Sequence, residues 1–204
     1  MEKEIAKLLL QINAIKLEPK KLFTWASGKK SPIYCDNRLI LSYPKIRSYI
    51  QICFLETFKS HFQQANVIAG VATGGIPHGA LLADKLKLPF VYIRSSAKKH
   101  GRQNRVEGVI NKGANVLVVE DLVSTGKSSL SAIHPLLEID CKITGLISIF
   151  SYNFPETIKL INENNIKHKS LCNYDVLIQT AIEESFVSKQ ELEFLAKWNQ
   201  NFKI

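Results

Sequence analysis

The stretch VLVVEDLVSTGKS, Val116 to Ser128, joins a short β-branched apolar run to two adjacent carboxylates and then to a turn rich in hydroxyls and glycine. A run this short and this β-branched predicts a strand covered on both faces, as inside a parallel sheet. Ligands of such sheets bind outside the carboxyl ends of the strands, which puts Glu120 and Asp121 where a ligand would lie. The turn Ser124 to Ser129 opens a helix, so its backbone N–H groups can hold a phosphate. Thr125, Gly126, Lys127 and Ser128 reproduce the end of the nucleoside triphosphate loop GxxxxGK(S/T), but Asp121 stands where its first glycine belongs. A carboxylate is a poor wall for a polyphosphate and a good acceptor for sugar hydroxyls or ligand for Mg²⁺. The pattern therefore reads as one phosphate plus a sugar. The plain alternative is a strand-to-helix turn with two solvated acids and a Ser/Thr cap.

Outward from this stretch, strand and helix patterns alternate: Val67 to Ala72, Pro77 to Leu86, Phe90 to Arg94, Val116 to Glu120, Lys127 to Leu137 and Thr144 to Phe150. Alternation of this kind predicts an α/β fold, a parallel sheet with right-handed crossovers and helices on both faces. Ile5, Leu8, Leu9, Ile12 and Ile15 recur at helical spacing, so residues 2–15 are expected to form an amphipathic helix acting as a lid or hood. SGKKSP predicts a turn, with a short strand from Ile33 to Asn37 behind it, and Pro44 starts a helix that covers the sheet. Residues 156–165 and 189–198 read as two more helices. The expected organisation is a single domain, with a small hood over about residues 1–40 and an α/β core over 41–204. The exception to the alternation is Ser95 to Gly113, a long polar stretch without an apolar period, and loops of that length in compact domains are usually functional or mobile.

The chain has 204 residues, 46% of them hydrophobic and 22% charged, enough for one well-cored domain and short for two. Its formal charge of +9 suits nucleic acid or small polyanions. The cations are dispersed apart from Lys98, Lys99, Arg102 and Arg105, and that local cluster favours a small anion over a long phosphate backbone. Cys35, Cys53, Cys141 and Cys172 have no zinc-like spacing and read as free thiols. The N-terminus carries acids in place of a basic leader, and no apolar run approaches about 18 residues. The expectation is a soluble cytoplasmic protein without membrane or nucleic-acid partners.

The segment Val116 to Ser128 resembles the phosphoribosyl diphosphate (PRPP) signature of the type I phosphoribosyltransferases. FTWASGKKSPIYCDNR, from Phe23 to Arg38, and YIRSSAKKHG, from Tyr92 to Gly101, are similar to the orotate-using branch of that family, and GVATGGIPHGA, from Gly70 to Ala80, to its diphosphate loop. The resemblance implies transfer of the phosphoribosyl group of PRPP to orotate, a step in pyrimidine synthesis, with Mg²⁺ on the diphosphate and no dedicated protein metal site. It assigns PRPP to Arg94, Lys98, His100 and the run Glu120, Asp121, Leu122, Val123, Ser124, Thr125, Gly126, Lys127 and Ser128. It makes Lys98, His100 and Asp121 catalytic. Lys98 and His100 fall on a loop, within residues 94–113, that in this family closes over the neighbouring subunit's site, which implies a homodimer. Cations brought onto a leaving group in a water-poor site lower the barrier, and the closed loop keeps water from the sugar cation.

Thr73, Gly74 and Gly75 can bring backbone amides close to a diphosphate, and equally suit a tight strand-to-helix connection. Lys127 either adds charge to the phosphate site or points to solvent. For the base, the resemblance points to Ser124 and to Tyr34, whose ring serves strand packing or stacking on a pyrimidine. Many family members carry a lysine at the position of Ala26 and an arginine at that of Tyr152. Lys29, Lys30 and Arg38 are the nearby candidates for replacement charge. The competing expectations are a purine or another pyrimidine base as acceptor, and a PRPP-sensing regulator that binds nucleic acid.

Overall fold

The computed structural model describes residues 1–25, 27–95 and 105–204. In chain order the elements are α1 (Glu2–Gln11), β1 (Ile15–Leu17), β2 (Phe23–Thr24), β3 (Lys30–Ser31), β4 (Ile33–Cys35), a 3-10 helix (Asn37–Ser42) and α2 (Pro44–His61). They continue as β5 (Val67–Val71), α3 (Gly75–Leu86), β6 (Phe90–Ile93), β7 (Val106–Glu107), β8 (Asn115–Val123), α4 (Lys127–Glu138) and β9 (Lys142–Ser151). The last elements are α5 (Pro155–Glu163), β10 (His168–Asn173), α6 (Tyr174–Glu183) and α7 (Lys189–Gln200).

Among the described residues the main sheet has the order β10-β9-β8-β5-β6-β7. Its pairs are parallel except β6 with β7, where Tyr92 faces Glu107 and Ile93 faces Val106 across an antiparallel stem. The sheet separates two cores, and the period of two along each strand divides the side chains between them. Ile68, Leu117 and Val119 join the cluster that contains Ile5, Leu9, Phe54 and Leu177 from α1, α2 and α6. Val67, Ala69, Val116 and Val118 face the other, with Ile133 and Leu136 of α4 and Ile161 of α5. The α/β architecture with helices on both faces is thus present.

Two expectations are corrected at the N-terminus. The helix stops at Gln11, because Asn13 takes a left-handed backbone (φ 56°) and Ile15 then pairs with Cys35 in an antiparallel ribbon. Nor is α1 a lid, since Ile5, Ala6, Leu9 and Leu10 are buried in the main core beside α6. The part of the first forty residues that borders a cavity is the hairpin β2–β3 and the segment that follows it.

β6 and β8 flank β5 on opposite sides, so successive crossovers leave β5 in opposite directions. A crevice outside the carboxyl ends of two such strands is where open α/β sheets bind ligands. Here that crevice lies between the ends of β5 and β8.

Candidate active site

Val71 ends β5, and Thr73, Gly74 and Gly75 follow at the entrance to α3, with a cis peptide between Ala72 and Thr73. Glycine is required at both positions by proximity to β8. A Cβ on Gly74 would overlap the Asp121 carboxyl group, and one on Gly75 would overlap the Val119 carbonyl oxygen. The two strand ends therefore meet at backbone contact, with the acids of β8 against the loop of β5.

A cavity of about 410 Å³ opens there, lined by Thr73 and Gly74 on one side, Glu120, Asp121 and Leu122 on another, and Ser124, Thr125, Gly126, Ser128 and Ser129 on the third. Gly126 takes a left-handed backbone (φ 75°) and stands at the N-cap of α4 without a side-chain cap, which leaves first-turn N–H groups available to an anion. Glu120 is 6% exposed, and the Ser129 hydroxyl donates to its Oε1 at 3.3 Å. Burial, with the neighbouring Asp121 charge adding to it, pushes the Glu120 carboxyl up to about 8, against the opposing hydrogen bond from Ser129. Burial also raises Asp121. A neutral Glu120 beside Asp121 can donate as well as accept, which suits a pair of vicinal sugar hydroxyls.

A second cavity of about 230 Å³ adjoins the first, since Cys35, Leu122 and Ser124 line both. Thr24, Trp25, Tyr34 and Tyr152 complete its wall. Tyr34 is 42% exposed, with its ring 5.7 Å from that of Phe23. It therefore both packs on Phe23 and lines the cavity. Tyr152 is buried, its ring stacked on Phe154 at 5.1 Å and edge-on to Trp25 at 5.4 Å. Burial in this apolar wall keeps the Cys35 thiol and the Tyr152 hydroxyl protonated. The cavity is partly aromatic and lined by no charged side chain among the described residues.

A third cavity, about 330 Å³, shares Ala72 and Ser128 with the first and carries Arg94, Arg105 and Lys127. Lys127 therefore lines a cationic cavity that adjoins the first. Arg94 and Arg105 close the stem of the polar segment: Arg94 N–H donates to the Arg105 carbonyl at 2.8 Å, and Arg105 Nε to the Arg94 carbonyl at 3.1 Å. Arg94 also lies 3.5 Å from Glu107.

Of the residues singled out in the sequence, Thr73, Gly74, Glu120, Asp121, Leu122, Ser124, Thr125, Gly126 and Ser128 share the first cavity, and Tyr34 joins Ser124 in the second. Gly75 lines none of the three cavities, and Val123 is fully buried in the core, its carbonyl accepting from Tyr152 N–H at 3.0 Å. Lys98 and His100 lie outside the described residues, as do Lys99 and Arg102. Asn37 was not foreseen. It is 1% exposed, and its Nδ2 donates to the Asp121 carbonyl at 2.7 Å. Asp36 and Arg38, which also line the first cavity, form a bidentate pair at 2.6 and 2.9 Å, and that pairing holds Asp36 below its usual range.

A larger cleft of about 510 Å³ lies between β3 and α7, lined by Lys29, Lys30, Phe194, Lys197, Trp198 and Phe202 among others. It has neither carboxylates nor a glycine loop nor a helix N-terminus, all of which border the first cavity.

A model of the phosphoribosyl transferase domain matches residues 40–171. Over 201 residues the chain is 48% identical to the orotate phosphoribosyltransferase of Lactococcus lactis subsp. cremoris and 47% identical to that of Listeria monocytogenes, covering 98% of this chain and 96% of each relative. The chain belongs to the orotate phosphoribosyltransferase family. The crystal structure of orotate phosphoribosyltransferase from Aeropyrum pernix superposes with a TM-score of 0.78 at 26% identity, covering 90% of this chain and 99% of that one. The similarity to these relatives extends over the last quarter of the chain as well, where no motif is legible. There α7 and the residues after it set Trp198 and Phe202 against Trp25 at 6.0 and 5.4 Å and back the Tyr152 wall.

Proposed function

We propose that the protein transfers the 5-phosphoribosyl group of PRPP to orotate, giving orotidine 5′-monophosphate and diphosphate. The observation that carries this is the sharing of Cys35, Leu122 and Ser124 between the acid-and-amide cavity and the aromatic one, which would put a ribose C1 at the mouth of a cavity walled by Trp25, Tyr34 and Tyr152. In the reaction a ring nitrogen of the anionic base forms a bond to C1 as the bond from C1 to the diphosphate oxygen breaks, through a transition state of oxocarbenium character.

The α4 N-terminus and the hydroxyls from Ser124 to Ser128 hold the 5′-phosphate, and Glu120 and Asp121 grip the ribose hydroxyls. Thr73 and Gly74 cradle the diphosphate, and Gly75 lets their loop pack against the backbone of β8. Tyr34 and Ser124 meet the base. Lys98, His100 and Arg94 balance the departing charge, with the 94–113 segment serving the neighbouring subunit of a homodimer.

Among the described residues no three His, Cys, Asp or Glu side chains gather as a metal cage. The residues present fit a magnesium ion held mainly by substrate oxygens and water, with Glu120 and Asp121 the carboxylates at hand. Bound in that way, it would neutralise the leaving diphosphate. A cytoplasmic setting agrees with four free cysteines and with the finding that no described helix is long and apolar enough to cross a membrane.

The test is to mix protein, Mg²⁺ and PRPP separately with orotate, uracil, adenine and hypoxanthine and follow consumption of each base. Orotate alone should disappear. Consumption of a purine alone would overturn the substrate assignment.

A further inference from the structure

An anionic base entering the aromatic cavity leaves water for a wall without a charged side chain, so its carboxylate needs a cation at the rim. Arg38 is committed to Asp36 through two short bonds. Lys29 points the other way, donating to the Lys203 carbonyl and lying 4.7 Å over the Phe202 ring in the outer cleft. Lys30 differs from both. It is the cross-strand partner of Thr24 in the β2–β3 hairpin, and its Nζ donates to Thr24 Oγ1 at 2.7 Å. Thr24 in turn lines the base cavity.

We infer that Lys30, with Thr24, is the residue pair that recognises the carboxylate of the base and so selects orotate over its uncarboxylated counterpart. An ammonium has three N–H donors, of which Thr24 takes one. A threonine hydroxyl that accepts from a lysine keeps its own hydrogen to donate, so the two side chains together present a charged and a neutral donor at the same rim. Lys30 borders both the outer cleft and Thr24, which gives its flexible stem access to the rim without burial. This assignment rests on the orotate reading above. Within that reading it answers what stands in for the lysine and arginine that Ala26 and Tyr152 replace.

Orotidine 5′-monophosphate and uridine 5′-monophosphate differ only by that carboxylate, and their dissociation constants, measured by calorimetry, isolate it. The wild-type protein should prefer the carboxylated nucleotide by about tenfold or more, the range for a hydrogen bond to a charged group. Lys30→Met should remove most of that preference by weakening the carboxylated nucleotide alone. Lys30→Arg should retain it, and Lys29→Met should leave it untouched. If Lys30→Met keeps the preference, or weakens both nucleotides equally as a merely structural role would, the assignment is wrong. A wild-type protein that shows no preference and consumes no orotate would sink the substrate reading itself, and the role of Lys30 with it.

Discussion

The side-chain amide of Asn37 donates to the main-chain carbonyl of Asp121 at 2.7 Å, across a sequence separation of 84 residues. It ties the segment after the hairpin to the acidic end of β8, so the aromatic cavity and the acid-lined cavity keep one fixed relation. Removing the donor strands a carbonyl in a place where water has little access, at a cost of about 1–3 kcal/mol. Asn37→Ala should lower the melting temperature and raise the KM for PRPP together. An unchanged KM would show that Asp121 keeps its place without Asn37.

Gly74 and Gly75 should respond differently to the same added methyl group. In Gly74→Ala the new Cβ meets the Asp121 carboxyl, a side chain that can swing away, so turnover should fall at least about tenfold with a small change in stability. In Gly75→Ala it meets the backbone of β8 at Val119, which cannot swing, and overpacking of that kind costs about 1–3 kcal/mol. Thermal melts and steady-state rates on both variants check this. Equal loss of stability in the two would contradict it.

Glu120 makes the fold sensitive to alkali. Its folded pKa of about 8 lies above its ordinary value of 4.5, so the folded chain holds a proton that the unfolded chain releases. The stabilisation is complete below about 4.5 and is lost as the pH rises through about 8. Glu120→Gln cannot titrate there. Its melting temperature relative to wild type should rise steadily from about pH 5 to about pH 9. A difference that stays flat across that range would mean that Glu120 titrates as an ordinary exposed carboxyl.

Trp198 touches Trp25 at 6.0 Å, Phe154 at 5.6 Å and Phe202 at 5.3 Å, and thereby joins α7 to the wall of the base cavity. Trp198→Ala should destabilise by about 2–4 kcal/mol, somewhat under the range for a fully buried tryptophan. It should also raise the KM for orotate more than that for PRPP, because the phosphate cup receives nothing from α7. Equal effects on both substrates would place the role of α7 in general stability.

The strands β5, β8 and β9 were legible because each is an apolar run that must be buried on both faces. The acids and the amide turn were legible because they interrupt such a run at its carboxyl end. β10 was not, since HKSLCN at the sheet edge mixes polar and apolar residues. The helix α6 followed it unseen, and α1 was overextended because Ile12 and Ile15 keep the helical period while Asn13 breaks the backbone. Asn37 escaped notice because it acts on a backbone carbonyl, and no residue type in the sequence marks such a partner. Choosing among Lys29, Lys30 and Arg38 needed three dimensions, since three cations within ten residues of one another point in three directions.

The reading as a transferase requires that the acids of β8 and the amide turn of α4 form a single pocket for a phosphorylated pentose. PRPP can be titrated calorimetrically, with Mg²⁺ present, into the wild-type protein and into Glu120→Gln/Asp121→Asn. Two lost hydrogen bonds to charged or proton-sharing groups should weaken binding on the order of 100-fold while the fold survives. Undiminished affinity in the double variant would contradict the account.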